Sequence, residues 1–191
     1  MKFHTKWRRF LTEGGNVFKG ERVGAIPLEF IEPTLERYYE ELGRLFPQQT
    51  AFFQTIEPLG SVGKKAKSGD IDLAIDVSEL APSRKIDDQM LQSWQLDPGV
   101  WADTRARFAK RARNATDEEL DLRAFLYELA KYIGENSQLI KTDLKKVTSG
   151  GMFSLFPQIS DSGEQQEIGI QVDWMLGNKD WLKFAYFSDV P

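Results

Sequence analysis

The stretch Ile56-Glu57-Pro58-Leu59-Gly60-Ser61, then eight residues, then Asp70-Ile71-Asp72-Leu73-Ala74-Ile75-Asp76, decides the fold. An apolar approach ends in Gly-Ser, a lysine-bearing turn follows, and a second apolar run carries acids in alternation. Side chains alternate faces along a strand. Asp70 and Asp72 therefore share one face, opposite Ile71, Leu73 and Ile75. Their backbone positions lie about 7 Å apart along the strand. Carboxylates so placed can converge on a pair of divalent ions about 3.5–4 Å apart. The Gly-Ser turn offers close backbone approach, free N–H groups and a hydroxyl, which are what a triphosphate needs.

Working outward, the last third of the chain supplies a matching strand, Glu167-Ile168-Gly169-Ile170-Gln171-Val172-Asp173-Trp174-Met175. Ile168, Ile170, Val172 and Trp174 fall on one face, and Gly169, Gln171, Asp173 and Met175 on the other. An acid inside so apolar a strand is costly to bury unless it is paired or bound to metal. Asp173 is thus the natural third carboxylate. Asp76 lies on the Asp72 face but further along, and reads as structural or solvent-facing.

GSVGKKAKSGDIDLAID, spanning residues 60–76, together with Asp173, resembles the nucleotidyltransferase superfamily, whose best-known branch is DNA polymerase β. The family pattern is Gly-Ser, a short variable span, Asp-x-Asp on a strand and a third acid on a later strand. The resemblance covers roughly residues 50–76 and 140–176. It implies an α+β fold with a mixed, twisted sheet flanked by helices. It also implies two magnesium ions (or manganese) held by Asp70, Asp72 and Asp173, one activating the attacking hydroxyl and the other organising the triphosphate. Asp173 would also help deprotonate the nucleophile. Gly60 and Ser61 would meet the β- and γ-phosphates of an NTP, with Lys64 and Lys65 neutralising phosphate oxygens. Many relatives carry an arginine near the position of Lys64. The implied activity is transfer of a nucleoside monophosphate from the NTP to an acceptor hydroxyl, with pyrophosphate leaving. The acceptor is open: an RNA or DNA 3′ end, a protein or a small molecule. The competing reading is a non-catalytic nucleic-acid- or protein-binding domain that kept the fold, and the intact trio of acids argues against it.

Composition narrows the chemistry. The chain has 191 residues, 41% hydrophobic and 28% charged, with a net charge of −4. That balance speaks against a protein coated with nucleic acid, though not against a local basic groove. There is no cysteine and a single histidine, His4. Thiol catalysis, cysteine-ligated zinc and disulfides are excluded, and a Ser-His-Asp triad is not expected. No apolar run approaches the roughly 20 residues of a membrane span, so no membrane partner is expected. MKFHTKWRRFL at the start lacks the apolar segment of a signal peptide. Phe3, Trp7, Phe10 and Leu11 there fit a short docking helix. A cytoplasmic protein is the expectation.

The remaining segments give one domain over 1–191 with a helical insertion at about 78–138. Glu13-Gly14-Gly15-Asn16 reads as a turn. Pro33 opens a helix whose apolar face is Leu35, Tyr38, Tyr39, Leu42, Leu45 and Phe46, stopped by Pro47. Residues 51–59 read as a strand. Residues 101–114 read as a helix bearing Arg105, Arg107, Lys110, Arg111 and Arg113, which either holds an acceptor's phosphates or is a solvated face. Thr116-Asp117-Glu118-Glu119 has the form of a capping box, opening a helix to about Gly134. Residues 141–148 and 152–159 read as strands, Ser149-Gly150-Gly151 as a turn, and Asp161-Ser162-Gly163 as a hairpin turn. For Trp174 and Trp181, core packing is the default over stacking on a base. The chain runs only 18 residues past Asp173. Many relatives continue there into a helical domain, so either residues 78–138 take that role or the sequence is cut.

Overall fold

The computed structural model describes Phe18 and residues 20–59, 66–81, 85–112 and 114–187. The expected N-terminal docking helix and the turn at Glu13–Asn16 lie outside them. The architecture is α+β, a five-stranded mixed sheet flanked by helices. The sheet order is β2 (Glu57–Pro58), β4 (Asp70–Asp76), β7 (Gln165–Gly177), β6 (Gly151–Ile159) and β5 (Lys141–Thr142). β4 and β7 run parallel at its centre, and the other neighbours are antiparallel. A separate two-stranded ladder joins β1 (Ile26–Pro27) to β3 (Lys67–Ser68), just before β4.

The first helix, α1 (Leu28–Leu45), buries Ile31, Leu35, Tyr38, Leu42 and Leu45, one stripe at helical spacing. It starts five residues before Pro33, which sits inside it rather than opening it. Its start is fixed by tertiary contact: the Leu28 N–H donates to the Ala66 carbonyl beside β3 at 3.1 Å. Pro47 does end it, opening a 3-10 turn over Pro47–Gln49. The expected strand at 51–59 is mostly helical instead, as α2 (Thr50–Phe53), with only Glu57–Pro58 in the sheet. Phe52, Phe53 and Ile56 fit a helical stripe as well as a strand. Packing decides for the helix, because the Phe53 ring meets Phe46 and Trp94.

A parallel pair needs a crossover, and residues 77–136 provide it through α3 (Val77–Leu80), α4 (Asp88–Ser93), α5 (Pro98–Ala109) and α6 (Asp117–Asn136). α5 starts and stops earlier than residues 101–114, capped by Asp97, whose carboxylate accepts the Val100 N–H. The capping box of α6 is formed in full: Thr116 Oγ1 accepts the Glu119 N–H, and Glu119 Oε2 accepts the Thr116 N–H. Of the strand expected at 141–148, only Lys141–Thr142 is strand, and Thr148 makes a lone bridge to Gly151. Asp143 then turns the chain by accepting the Lys145 N–H on its side chain. β6 and β7 form a hairpin through the expected turn, with Gly163 at φ +82°. That left-handed backbone is one glycine adopts freely.

One face of the sheet holds the main core. Ile71, Leu73, Val172, Trp174 and Phe156 pack there with Leu35, Tyr38 and Leu42 of α1 and Phe125, Leu129 and Ile133 of α6. The other face carries Ala74 and Met175, covered by Leu182 of α7 (Lys179–Phe187) together with Leu59. By strand alternation this second face is also that of Asp70, Asp72 and Asp173. No helix among the described residues is long and apolar enough to cross a membrane.

Candidate metal centre

The site is built by the central parallel pair. In register, Asp70 stands beside Gln171 and Asp72 beside Asp173. Neighbouring strands are about 4.8 Å apart, so alternation within each strand and direct pairing between them bring the acids together. Asp70, Asp72 and Asp173 each offer a carboxylate oxygen, and these oxygens all lie within 4.8 Å of one another. The convergence expected of the three acids is therefore present.

The surroundings of the three differ. Asp173 is 5% exposed, on the inner strand, with Phe153 of β6 as its partner on the other side. Asp70 and Asp72 are half-buried. Asp173 Oδ2 accepts a hydrogen bond from Gln171 Nε2 at 2.9 Å. Its Oδ1 is buried and has no partner among the described residues. Burial pushes the Asp173 carboxyl up to about 8, helped by the Asp72 and Asp70 charges and opposed by the Gln171 hydrogen bond. Burial, then the charge of Asp70, pushes Asp72 up to about 7, and burial raises Asp70 too.

Among the described residues no lysine or arginine pairs with this cluster, and buried carboxylates without a cationic partner are unfavourable. An oxygen-only donor set of three carboxylates suits a hard divalent cation such as magnesium or manganese. The orphaned Asp173 Oδ1 is the observation by which such an ion fits these residues.

Gln171 is a site residue to which sequence reasoning assigned no role. The signal was available, since a second polar side chain two residues from Asp173 falls on the same strand face. Gly60, Ser61, Lys64 and Lys65 lie outside the described residues. The last described residue before them, Leu59, donates its N–H to the Asp72 carbonyl at 2.7 Å.

The other candidates are placed elsewhere. Asp76 is structural: it caps α3 through the Ser78 N–H and accepts the Lys179 N–H at the start of α7. Trp174 is fully buried and donates its indole N–H to Tyr38 Oη at 3.0 Å, while Trp181 is 43% exposed. The basic run is partly absorbed within the protein. Arg105 binds Asp117 and Asp121, and Arg107 lies 5.0 Å over the Tyr127 ring. Lys110 and Arg111 are exposed, and Arg113 lies outside the described residues. The turn at Thr148–Gly151 closes back on itself, with the Thr148 N–H donating to the Gly151 carbonyl. No protein-family model matches the chain, and no curated protein is significantly similar to it in sequence.

Proposed function

We propose that the protein is a divalent-metal-dependent nucleotidyltransferase, of the kind its Gly-Ser and Asp-x-Asp pattern resembles. It moves a nucleoside monophosphate from an NTP to an acceptor hydroxyl. The observation that carries this reading is the convergence of Asp70, Asp72 and Asp173, with one buried oxygen of Asp173 unpartnered among the described residues. A purely structural acid cluster would be paired with lysine or arginine, and among the described residues none reaches these three.

In this reading Asp70, Asp72 and Asp173 hold magnesium, or manganese on the same oxygen donors. Bound there, the metal neutralises the triphosphate and favours ionisation of the attacking hydroxyl. The acceptor oxygen forms a bond to the α-phosphorus as the bond to the bridging oxygen breaks, and pyrophosphate leaves. Asp173 helps take the hydroxyl proton as that bond forms. Gln171 holds the Asp173 carboxylate in one orientation throughout. Gly60 and Ser61 are assigned to the β- and γ-phosphates, with Lys64 and Lys65 beside them.

The test is to incubate the protein with each α-labelled NTP, magnesium or manganese, and RNA, DNA or cell-lysate acceptors. Label should appear in one acceptor class with stoichiometric pyrophosphate, and Asp72→Asn should transfer none. Absence of both label and pyrophosphate under all combinations overturns the reading.

A further inference from the structure

A second site lies away from the acids, where the first turns of α6 face the turn at Thr148–Ser149. A cavity of about 400 Å³ opens there, lined by Arg123, Glu119, Asn114, Thr148 and Ser149. Arg123 is half-buried. Its guanidinium carbon stands 4.4 Å over the Phe108 ring centre. Its Nε is buried with no hydrogen-bond partner, and among the described residues no carboxylate pairs with it.

The Arg123 guanidinium therefore has an aromatic neighbour and no carboxylate among the described residues. Stacking on an aromatic ring uses only the π-face. The in-plane N–H donors form a fork that matches the oxygens of a carboxylate or phosphate. Glu119 is the acid close enough in sequence to serve, four residues back on the same helix. Its carboxylate is engaged instead in the capping box, with Oε2 on the Thr116 N–H at 2.9 Å. Across the cavity, Thr148 Oγ1 accepts the Gly150 N–H at 3.2 Å, so its own hydrogen remains free to donate. Ser149 and Asn114 add a hydroxyl and an amide. Lys110 and Arg111 are exposed at the end of α5, in the segment that leads to Asn114. Arg123, Thr148 and Ser149 thus bring donors to one cavity, with Glu119 at its edge held by the Thr116 N–H.

We propose that this cavity is an oxyanion site for a phosphate group, held by the Arg123 guanidinium with Thr148 and Ser149. It is separate from the transferase reading, because its residues lie on α6, on the segment before α6 and in the turn before β6, and none of the three acids lines it. A phosphate group can arrive as free phosphate or pyrophosphate, or as a phosphodiester of a nucleic-acid chain.

Isothermal titration on the full chain, with EDTA present and ionic strength held constant with chloride, tests it. Inorganic phosphate, pyrophosphate and a short single-stranded oligonucleotide are titrated in parallel. At least one should bind saturably, with affinity falling tenfold or more in Arg123→Gln, falling less in Arg123→Lys, and unchanged in Asp72→Asn. Arg123-dependent binding of the oligonucleotide alone assigns the site to a nucleic-acid backbone; binding of the small anions alone assigns it to free phosphate. If Arg123→Gln is unfolded by circular dichroism, the double variant Thr148→Val with Ser149→Ala should show the same loss. No saturable binding by wild type, or equal binding by the folded variants, overturns the proposal. Because metal is absent throughout, neither result bears on the acid cluster.

Discussion

The two faces of the central sheet both bury polar groups, and they treat them differently. On the core face, Tyr38 Oη bonds to Ser154 Oγ at 2.9 Å and accepts the Trp174 indole N–H, while Ser154 Oγ reaches the Val172 carbonyl. Every member of that network has a partner. On the opposite face, one residue along β7, Asp173 keeps a buried oxygen with none. Buried polar groups in folded proteins are normally satisfied, so a satisfied network reads as structure and an unsatisfied acid as function. The sharpest way to break this contrast is Asp72→Asn. It should reduce nucleotide transfer by roughly 10²–10³-fold or more, the scale on which losing one preorganised charged group acts. Thermal stability without metal should be unchanged or higher, because repulsion in the cluster falls. A variant that is fully active, or one that is inactive only because it unfolds, erases the distinction between the faces.

The acid face also makes stability depend on pH in a direction opposite to ordinary carboxylates. Unfolded aspartates release their protons near about pH 4. In the folded protein Asp72 and Asp173 hold theirs up to about 7 and about 8. Between those values the folded state binds more protons than the unfolded one, so stability falls as pH rises. Without metal, the melting temperature should drop by several degrees from pH 5 to pH 8. Magnesium or manganese should restore it, and more at pH 8 than at pH 5. A metal-free protein most stable at pH 8 would show that the cluster is neutralised by something within the fold.

How far the sequence could be read follows the same division. The faces of Asp70, Asp72 and Asp173 follow from two-residue alternation, a local rule, and the site emerges from it. That Asp72 stands beside Asp173 in a parallel pair depends on the crossover through α3–α6, which no local pattern contains. The start of α1 at Leu28 rests on a contact with Ala66, and α2 on ring packing against Trp94. Such contacts between distant segments override the local signals at Pro33 and at 51–59. Gln171 was visible on the right face, but its hydrogen bond needs the strand's actual geometry.

On the core face, Tyr38→Phe sharpens the contrast from the other side. It leaves the Trp174 N–H without its acceptor while Ser154 keeps Val172. The expected loss is about 1–3 kcal/mol, the penalty for an unsatisfied buried donor. Chemical denaturation measures it. Transfer per folded molecule should stay at the wild-type level, and a drop in it would mean that the core network reaches the acids.

The smallest expected effect concerns Gln171, which stands between the two behaviours. It is 4% exposed, and its amide satisfies one Asp173 oxygen while leaving the other unpartnered. Residues that orient a metal ligand typically change affinity by about 10–100-fold when removed. Gln171→Leu keeps the side chain's bulk and removes the donor. The Asp173 carboxylate then loses both its fixed rotation and its last neutral partner. Manganese affinity, read by titration against an electron paramagnetic resonance signal, should weaken about tenfold, at the low end because Asp70 and Asp72 still bind. The fall in metal-free stability should extend to higher pH, because the ionised Asp173 carboxylate loses the hydrogen bond that favours it and its proton affinity in the folded state rises. Unchanged manganese affinity would make Gln171 part of the satisfied structure, like Ser154 on the far side of the sheet, and leave the orientation of Asp173 to strand packing alone.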